Sequence, residues 1–350
     1  MSDNPFALDY VEPEQTSIDL QEQEREAEAV NDGPLITKPG AYPYISAEDY
    51  HRNPALLPGP SLSSSGAKTL GTMSPFHFWF DSPLNPNRPP EPDKPHFRVG
   101  KAAHDIILLN ERWEQFYHVL PEGFSRAKKN QMRDAIEEAD AAIEEGKTVL
   151  RYEESLTVVA IAEALKKNKL AVACLTNGVA EETLVWQDPM TGIWLRARPD
   201  FRPNSIIEKR DVMVVPDLKF VAPTHASPEG FSKAIYNFGY HQSAAWHCDG
   251  IHAVYGHRPT HWLHIVIEKP ETGAAAADSP LTVSLYELPG EDIERGRVLN
   301  RRAINRFAQC LKTDHWPAYA DDPLPVGLPD WARMRLDDVT PEEMTSAEAG

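Results

Sequence analysis

Three residues near the middle of the chain have the types and spacing that chemistry on a phosphate requires. Asp200 closes the segment Ile193-Trp-Leu-Arg-Ala-Arg-Pro199-Asp200, and Asp217 and Lys219 close Val212-Met-Val-Val-Pro-Asp217-Leu-Lys219. Side chains alternate along a strand, so Asp217 and Lys219 share one face while Leu218 takes the other. Two carboxylates and an ammonium converging at strand ends can hold a divalent cation against a phosphodiester. Asp200, Asp217 and the Leu218 carbonyl are hard oxygen ligands of the kind that suits Mg²⁺, with Mn²⁺ also accommodated. Lys219 can position an attacking water and stabilise charge in the transition state. An isolated Asp-x-Lys is more often a solvated strand terminus, so the surrounding elements carry the decision.

Those elements can be read from turn chemistry and periodicity. The segments Glu182–Gln187 and Ile193–Asp200 are rich in β-branched and aromatic residues, and Asp188-Pro-Met-Thr-Gly192 between them predicts a hairpin turn. Upstream, Phe97 to Glu111 reads as a helix on which Gly100 and His104, four residues apart, share a face. Glycine there permits close backbone approach, and His104 can reach a metal or a phosphate. Glu182 can bind the metal through water, with an exposed strand acid as the alternative reading. Downstream, a helix is predicted from Gly230 to about Tyr255, carrying Gln242, and a long amphipathic helix from Glu291 to about Thr313. His261 and His264 lie on a predicted strand three residues apart, so their rings point to opposite faces and argue against zinc.

The Pro199-Asp200 and Asp217-x-Lys219 pair matches the PD-(D/E)-x-K nuclease signature. With Gly100-Lys-Ala-Ala-His104, Glu182, Tyr240-His241-Gln242, Asp249-Gly250, Asp314-x-Trp316-Pro317 and Leu328-Pro-x-Trp331, the chain resembles the RecE-like (exonuclease VIII) branch of the RecB/lambda-exonuclease nucleases. The likeness starts at about Ile45 and leaves out the first forty residues. It implies an α/β fold with an αβββαβ core, a mixed central sheet flanked by helices and further N-terminal helices. It also implies a 5′→3′ exonuclease that degrades double-stranded DNA ends to 5′-mononucleotides. Family members form homo-oligomeric rings and hand the 3′ overhang to a single-strand annealing protein in phage-type recombination. The resemblance further implies a bacterial, phage or prophage setting. An endonuclease of the same fold, or a non-catalytic DNA-end binder, would share much of this sequence. One element departs from the family pattern: its Gln-x-x-x-Tyr is met either by Gln242 and Trp246 or, in another register, by Ser243 and His247.

Composition sets the remaining bounds. No apolar run in the 350 residues approaches the ~20 needed for a membrane span, and no basic-then-apolar leader opens the chain, so a cytoplasmic protein is expected. Three widely spaced cysteines, Cys174, Cys248 and Cys310, suit a reducing compartment and exclude a four-cysteine iron–sulfur cluster. Net charge is −18, of which residues 1–40 contribute −8 (two bases, ten acids) and residues 320–350 contribute −6 (two bases, eight acids). Residues 1–40 and 336–350 are predicted as acidic tails around a nuclease domain spanning 41–335. In so acidic a chain, Arg126, Lys128 and Lys129 form the densest basic stretch. They are either a clamp for the phosphates of a DNA end or a solvated helix start.

Overall fold

Several serines and a proline mark element boundaries in the described part of the first third of the chain. The structure, a computed structural model, describes residues 33–89, 95–109, 113–204, 212–269, 280–320 and 322–337. Most of both predicted tails lies outside the described residues. After β1 (Gly40–Tyr42), the Ser46 side chain accepts from the Asp49 N–H and opens α1 (Ala47–Arg52). β2 (Ser61–Ser63) runs directly into α2 (Ser64–Thr72), capped by Ser63; Ser74 caps α3 (Pro75–Asp81), with Pro75 at its first turn.

The next third supplies one helical layer. It comprises α4 (Pro95–Leu109), α5 (Trp113–Phe116), β3 (Tyr117–Val119), α6 (Arg133–Glu144), β4 (Thr148–Leu150), α7 (Tyr152–Lys167) and α8 (Lys169–Cys174). The central segment follows as β5 (Gly178–Ala180), β6 (Thr183–Gln187), β7 (Trp194–Ala197), β8 (Phe201–Pro203) and β9 (Val214–Val221). Then come α9 (Pro228–Asn237), α10 (Tyr240–Tyr255), β10 (His261–Glu268), β11 (Val283–Leu288), α11 (Gly290–Thr313) and α12 (Asp330–Asp337).

The predicted hairpin forms: β6 and β7 pair antiparallel, and Gly192 takes the left-handed φ of +72° that the turn requires. They lie in a four-stranded sheet of order β1-β6-β7-β2, and β9 lies in a second sheet of order β11-β10-β9. The second strand is shorter than predicted. Pro199 has no N–H to continue a ladder, so β7 stops at Ala197 and the chain resumes as β8, paired with β5 and lying alongside β9.

The β9–β10 pair is parallel and β10–β11 antiparallel, giving the mixed sheet. Leu218, Ile265 and Ile267 pack on α4 and α7, whereas Val215 and Trp262 pack on α10 and α11, and Val221 and Val266 on α9. Cover on both faces explains the nearly unbroken apolar run of β10. α10 binds the two sheets together. Trp246 Nε1 donates to the Arg196 carbonyl at 2.9 Å, and a Cβ on Gly250 would sit only 2.9 Å from the Trp186 ring. The helix predicted as continuous from Gly230 to Tyr255 is in fact two, because Gly239 adopts a left-handed φ of +63° and ends α9. Among the described residues, no helix is long and apolar enough to cross a membrane.

Candidate active site

The break at Pro199 and the middle of β9 bring the central acids together. Because β9 continues to Val221, Asp217 and Lys219 lie within the strand and do not close it, contrary to expectation. Asp200 sits in the gap between β7 and β8, where its Oδ2 accepts from the Leu218 N–H at 2.7 Å. That bond fixes one end of the Asp200 carboxylate against β9 and leaves Oδ1 for His104, whose Nε2 lies 3.2 Å away on α4. Glu181 completes the group: its Oε1 is 3.6 Å from His104 Nε2, and one ligand atom from each of His104, Glu181 and Asp200 falls within 4.8 Å of the others. One imidazole and two carboxylates converging at that spacing fit a divalent cation, with Asp217 alongside as a further oxygen donor.

Asp217 and Lys219 point into the same cleft and form a close ion pair. Asp217 Oδ2 also receives His264 Nδ1 at 2.9 Å from the residue beside it in the parallel register of β9 and β10. The Leu218 side chain is buried on the far face, and its carbonyl accepts from Lys219 Nζ at 3.2 Å, so that carbonyl opens on the ammonium's side. Tyr240 lies 5.2 Å from Lys219 Nζ with its ring beneath the charge.

Charge coupling in this buried cluster is strong. Burial alone would lift the Asp217 carboxyl, but Lys219 and His264 hold it well below the usual carboxylate range. Asp200 is likewise held low by His104 despite burial. His104 loses by desolvation yet ends well above an ordinary histidine, because Asp200, Asp105 and Glu181 surround it. Lys219 is raised by Asp217 and Asp200 against the cost of burial, which keeps the ammonium charged at neutral pH.

Several expected site residues fall elsewhere. Glu182 is not in the cleft: it is buried against Arg202, and its Oε1 accepts from the Tyr255 hydroxyl at 2.8 Å. Its neighbour Glu181 takes the site position. Glu181 has a left-handed φ of +56°, with its N–H donating to the Asp200 carbonyl, and β6 begins only at Thr183. Two adjacent acids must diverge, and this kink decides which one enters the cleft. Sequence alternation held the pair but not its parity.

Gln242 is buried at the α10–α11 crossing, where its carbonyl accepts from Asn300, and it does not line the cleft. Ser243 and His247 do. Gly100 has nothing within 4 Å of where a Cβ would stand, so no close backbone approach explains it. Arg126, Lys128 and Lys129 lie on the exposed turn before α6, outside the cleft lining, and Arg126 is spent on Asp140 at 2.6 Å. Basic cleft residues come instead from scattered elements, among them Lys68, Arg88 and Arg196. His264 carries no signal in the sequence beyond its strand; only the cross-strand register reveals it as the partner of Asp217.

Residues 84–322 match the family model of a PDDEXK-like domain of unknown function, DUF3799. The chain belongs to this PDDEXK-like family. The matched span contains His104, Glu181, Asp200, Asp217 and Lys219, and the family's name is that of a nuclease superfamily. Among solved structures, a candidate exonuclease from Eubacterium rectale aligns with a TM-score of 0.51 at 12% identity, covering 84% of this chain and 98% of that one. At that identity the likeness establishes the PD-(D/E)XK fold alone. A phage-related exonuclease from Haemophilus somnus 129PT aligns at 12% identity over 56% of this chain and 92% of its own, with a TM-score of 0.26 that carries no argument. No curated protein matches the chain in sequence.

Proposed function

We propose that this PDDEXK-like protein is a metal-dependent 5′→3′ exodeoxyribonuclease of the RecE-like branch, acting on double-stranded DNA ends and leaving 3′ single-stranded overhangs. The convergence of His104, Glu181 and Asp200 donor atoms beside the Asp217–Lys219 pair, in one cleft, is the observation that carries it. Asp200, Glu181, His104 and Asp217 would hold the cation, Mg²⁺ or Mn²⁺ by the character of the donors. When bound, it supplies charge neutralisation at the phosphoryl oxygens of a strongly anionic substrate.

The chain's own residues do the rest. Asp217 keeps Lys219 charged and aimed into the cleft, and His264 restrains Asp217 from behind. The Lys219 ammonium is placed to orient a water and to stabilise charge that develops as the phosphodiester is attacked. Asp200, tied to the backbone of β9, cannot swing away when charge shifts. The polarity of degradation, the ring-shaped assembly, the annealing-protein partner and the phage setting rest on the RecE-like resemblance of the sequence.

Digestion of linear, nicked and closed circular duplex DNA in Mg²⁺, with label at the 5′ or the 3′ end, tests the proposal. Early release of labelled 5′-mononucleotide from linear DNA, abolished by EDTA, is the expected result. Cleavage of closed circles, or release from the 3′ end first, would overturn it.

A further inference from the structure

A cleft cation and an aromatic residue packed next to the cleft are left unused by the proposed chemistry. Lys68, on α2, lines the cleft together with Asp217, Lys219, Tyr240 and His247. Among the described residues no carboxylate forms an ion pair with it, and its Nζ reaches only the Phe238 carbonyl, at 3.4 Å. Burial and the nearby Lys219 pull its pKa below that of an ordinary lysine, against the attraction of Asp217. Phe238 ends α9 immediately before the left-handed Gly239, so its ring is set on a fixed turn, not a free loop. Phe238 is 49% exposed. It lies 5.6 Å from the Tyr240 ring at an interplanar angle of 33°, and Tyr240 in turn underlies Lys219. Aromatic rings therefore lead from Lys219 through Tyr240 to the exposed Phe238, with the Lys68 ammonium beside them.

Building on the nuclease reading, we infer that Lys68 and Phe238 form a nucleotide subsite. In it the ammonium takes a phosphate and the ring stacks a nucleobase of the strand held next to the scissile bond. The chemistry is tolerant of sequence, because every base offers a π-face and every nucleotide a phosphate. Tyr240 provides the inner wall, and Gly239 keeps the two aromatic residues on one turn.

The test uses the full chain and fluorescein-labelled duplex DNA oligonucleotides, with binding read by anisotropy in EDTA and cleavage by single-turnover assay in Mg²⁺. One abasic residue is walked along the oligonucleotide. For the wild type, one position near the scissile bond is expected to show weakening of roughly 5- to 50-fold. Phe238→Ala should weaken binding to intact DNA by a similar factor and lose the abasic effect at that position, whereas Phe238→Tyr should keep both. Lys68→Gln should lower the salt slope by about one phosphate contact and leave the abasic effect in place. If Phe238→Ala retains the wild-type affinity and abasic penalty, or weakens intact and abasic strands equally, the subsite is refuted. Quenching of a 2-aminopurine base at the same position in the wild type checks the result independently of any variant's folding. Wild-type protein that cleaves no DNA would sink the nuclease reading instead, and that outcome is read separately from the stacking.

Discussion

At the scale of single residues, the adjacent acids Glu181 and Glu182 separate chemistry from stability. Glu181→Gln is expected to weaken Mn²⁺ binding and slow turnover while leaving the denaturation midpoint nearly unchanged. Glu182→Ala should do the reverse: it strands the buried Arg202 guanidinium and costs about 3–5 kcal/mol, with cleavage retained in the protein that remains folded. Paired calorimetry and cleavage assays on the two variants decide it, and a swap of the two phenotypes would remove Glu181 from the site. Asp200→Ala or Asp217→Ala should reduce turnover by about 10³-fold or more if charge stabilisation dominates. Lys219→Ala should lower kcat more than it raises KM, because its contribution belongs to the transition state. His247 provides a pH test. Burial, with Lys219 and Lys68 nearby, depresses its pKa to about 4 despite the acids Asp217 and Asp200, so the fold prefers the neutral ring. The unfolded chain then binds the extra proton between about pH 6.5 and 4, and stability falls as pH drops through that window. Relative to His247→Gln, the metal-free wild type should lose about 2 kcal/mol between pH 7 and 4.5 in urea titrations.

At the scale of elements, the site depends on interruptions more than on regular structure. Pro199 stops β7 and frees Asp200, the left-handed Glu181 turns its side chain inward, and Gly239 separates α9 from α10 so that Tyr240 faces the cleft. Regular packing has its own constraint where α11 crosses α10. A Cβ on Gly296 would collide with the His241 backbone carbonyl. Gly296→Ala should therefore destabilise the protein by about 3 kcal/mol, since a backbone oxygen cannot move aside as a side chain can. Gly100→Ala, on the helix that carries His104, meets open space and should be neutral or slightly stabilising. Thermal denaturation of the two alanine variants compares the crossing with the open face directly.

For the whole molecule, the difficulty is how a chain of net charge −18 would hold the polyanion that the proposed function requires. The cleft answers it locally. Arg196 is buried, hydrogen-bonded to Ser61 Oγ at 2.8 Å, has no carboxylate ion-pair partner among the described residues, and feels the charge of Arg88 nearby. Two cleft cations that form no ion pair among the described residues are a natural place for phosphates. Arg88→Gln and Arg196→Gln should each flatten the salt dependence of DNA binding by about one phosphate contact. Replacing Arg126, Lys128 and Lys129 together should change it less, because those side chains lie outside the cleft and Arg126 is already paired. A larger slope change in the triple variant would move the DNA path to the α6 side.

The sequence by itself determined the mixed α/β fold, the β6–β7 hairpin and the placing of Asp217 and Lys219 on one face of a strand, though that strand runs on to Val221 instead of ending at Lys219. Those features depend on local properties: a turn that demands glycine, a two-residue side-chain period and an apolar run long enough for a doubly covered strand. It also supplied His104, through its place on a predicted helix and a family likeness. Tertiary structure decided which of two neighbouring glutamates enters the cleft, because parity depends on where β6 starts and on one left-handed residue. It decided that His264 braces Asp217, since two residues 47 positions apart become neighbours only through strand register. It also placed the cations that face the cleft, which come from several separate elements, among them α2, β7 and the loop after α3, and not from the densest basic run. A linear charge count ranks Arg126, Lys128 and Lys129 first. Folding puts them on an outer turn and gathers Lys68, Arg88 and Arg196 instead, because a cleft is lined by residues distant in sequence.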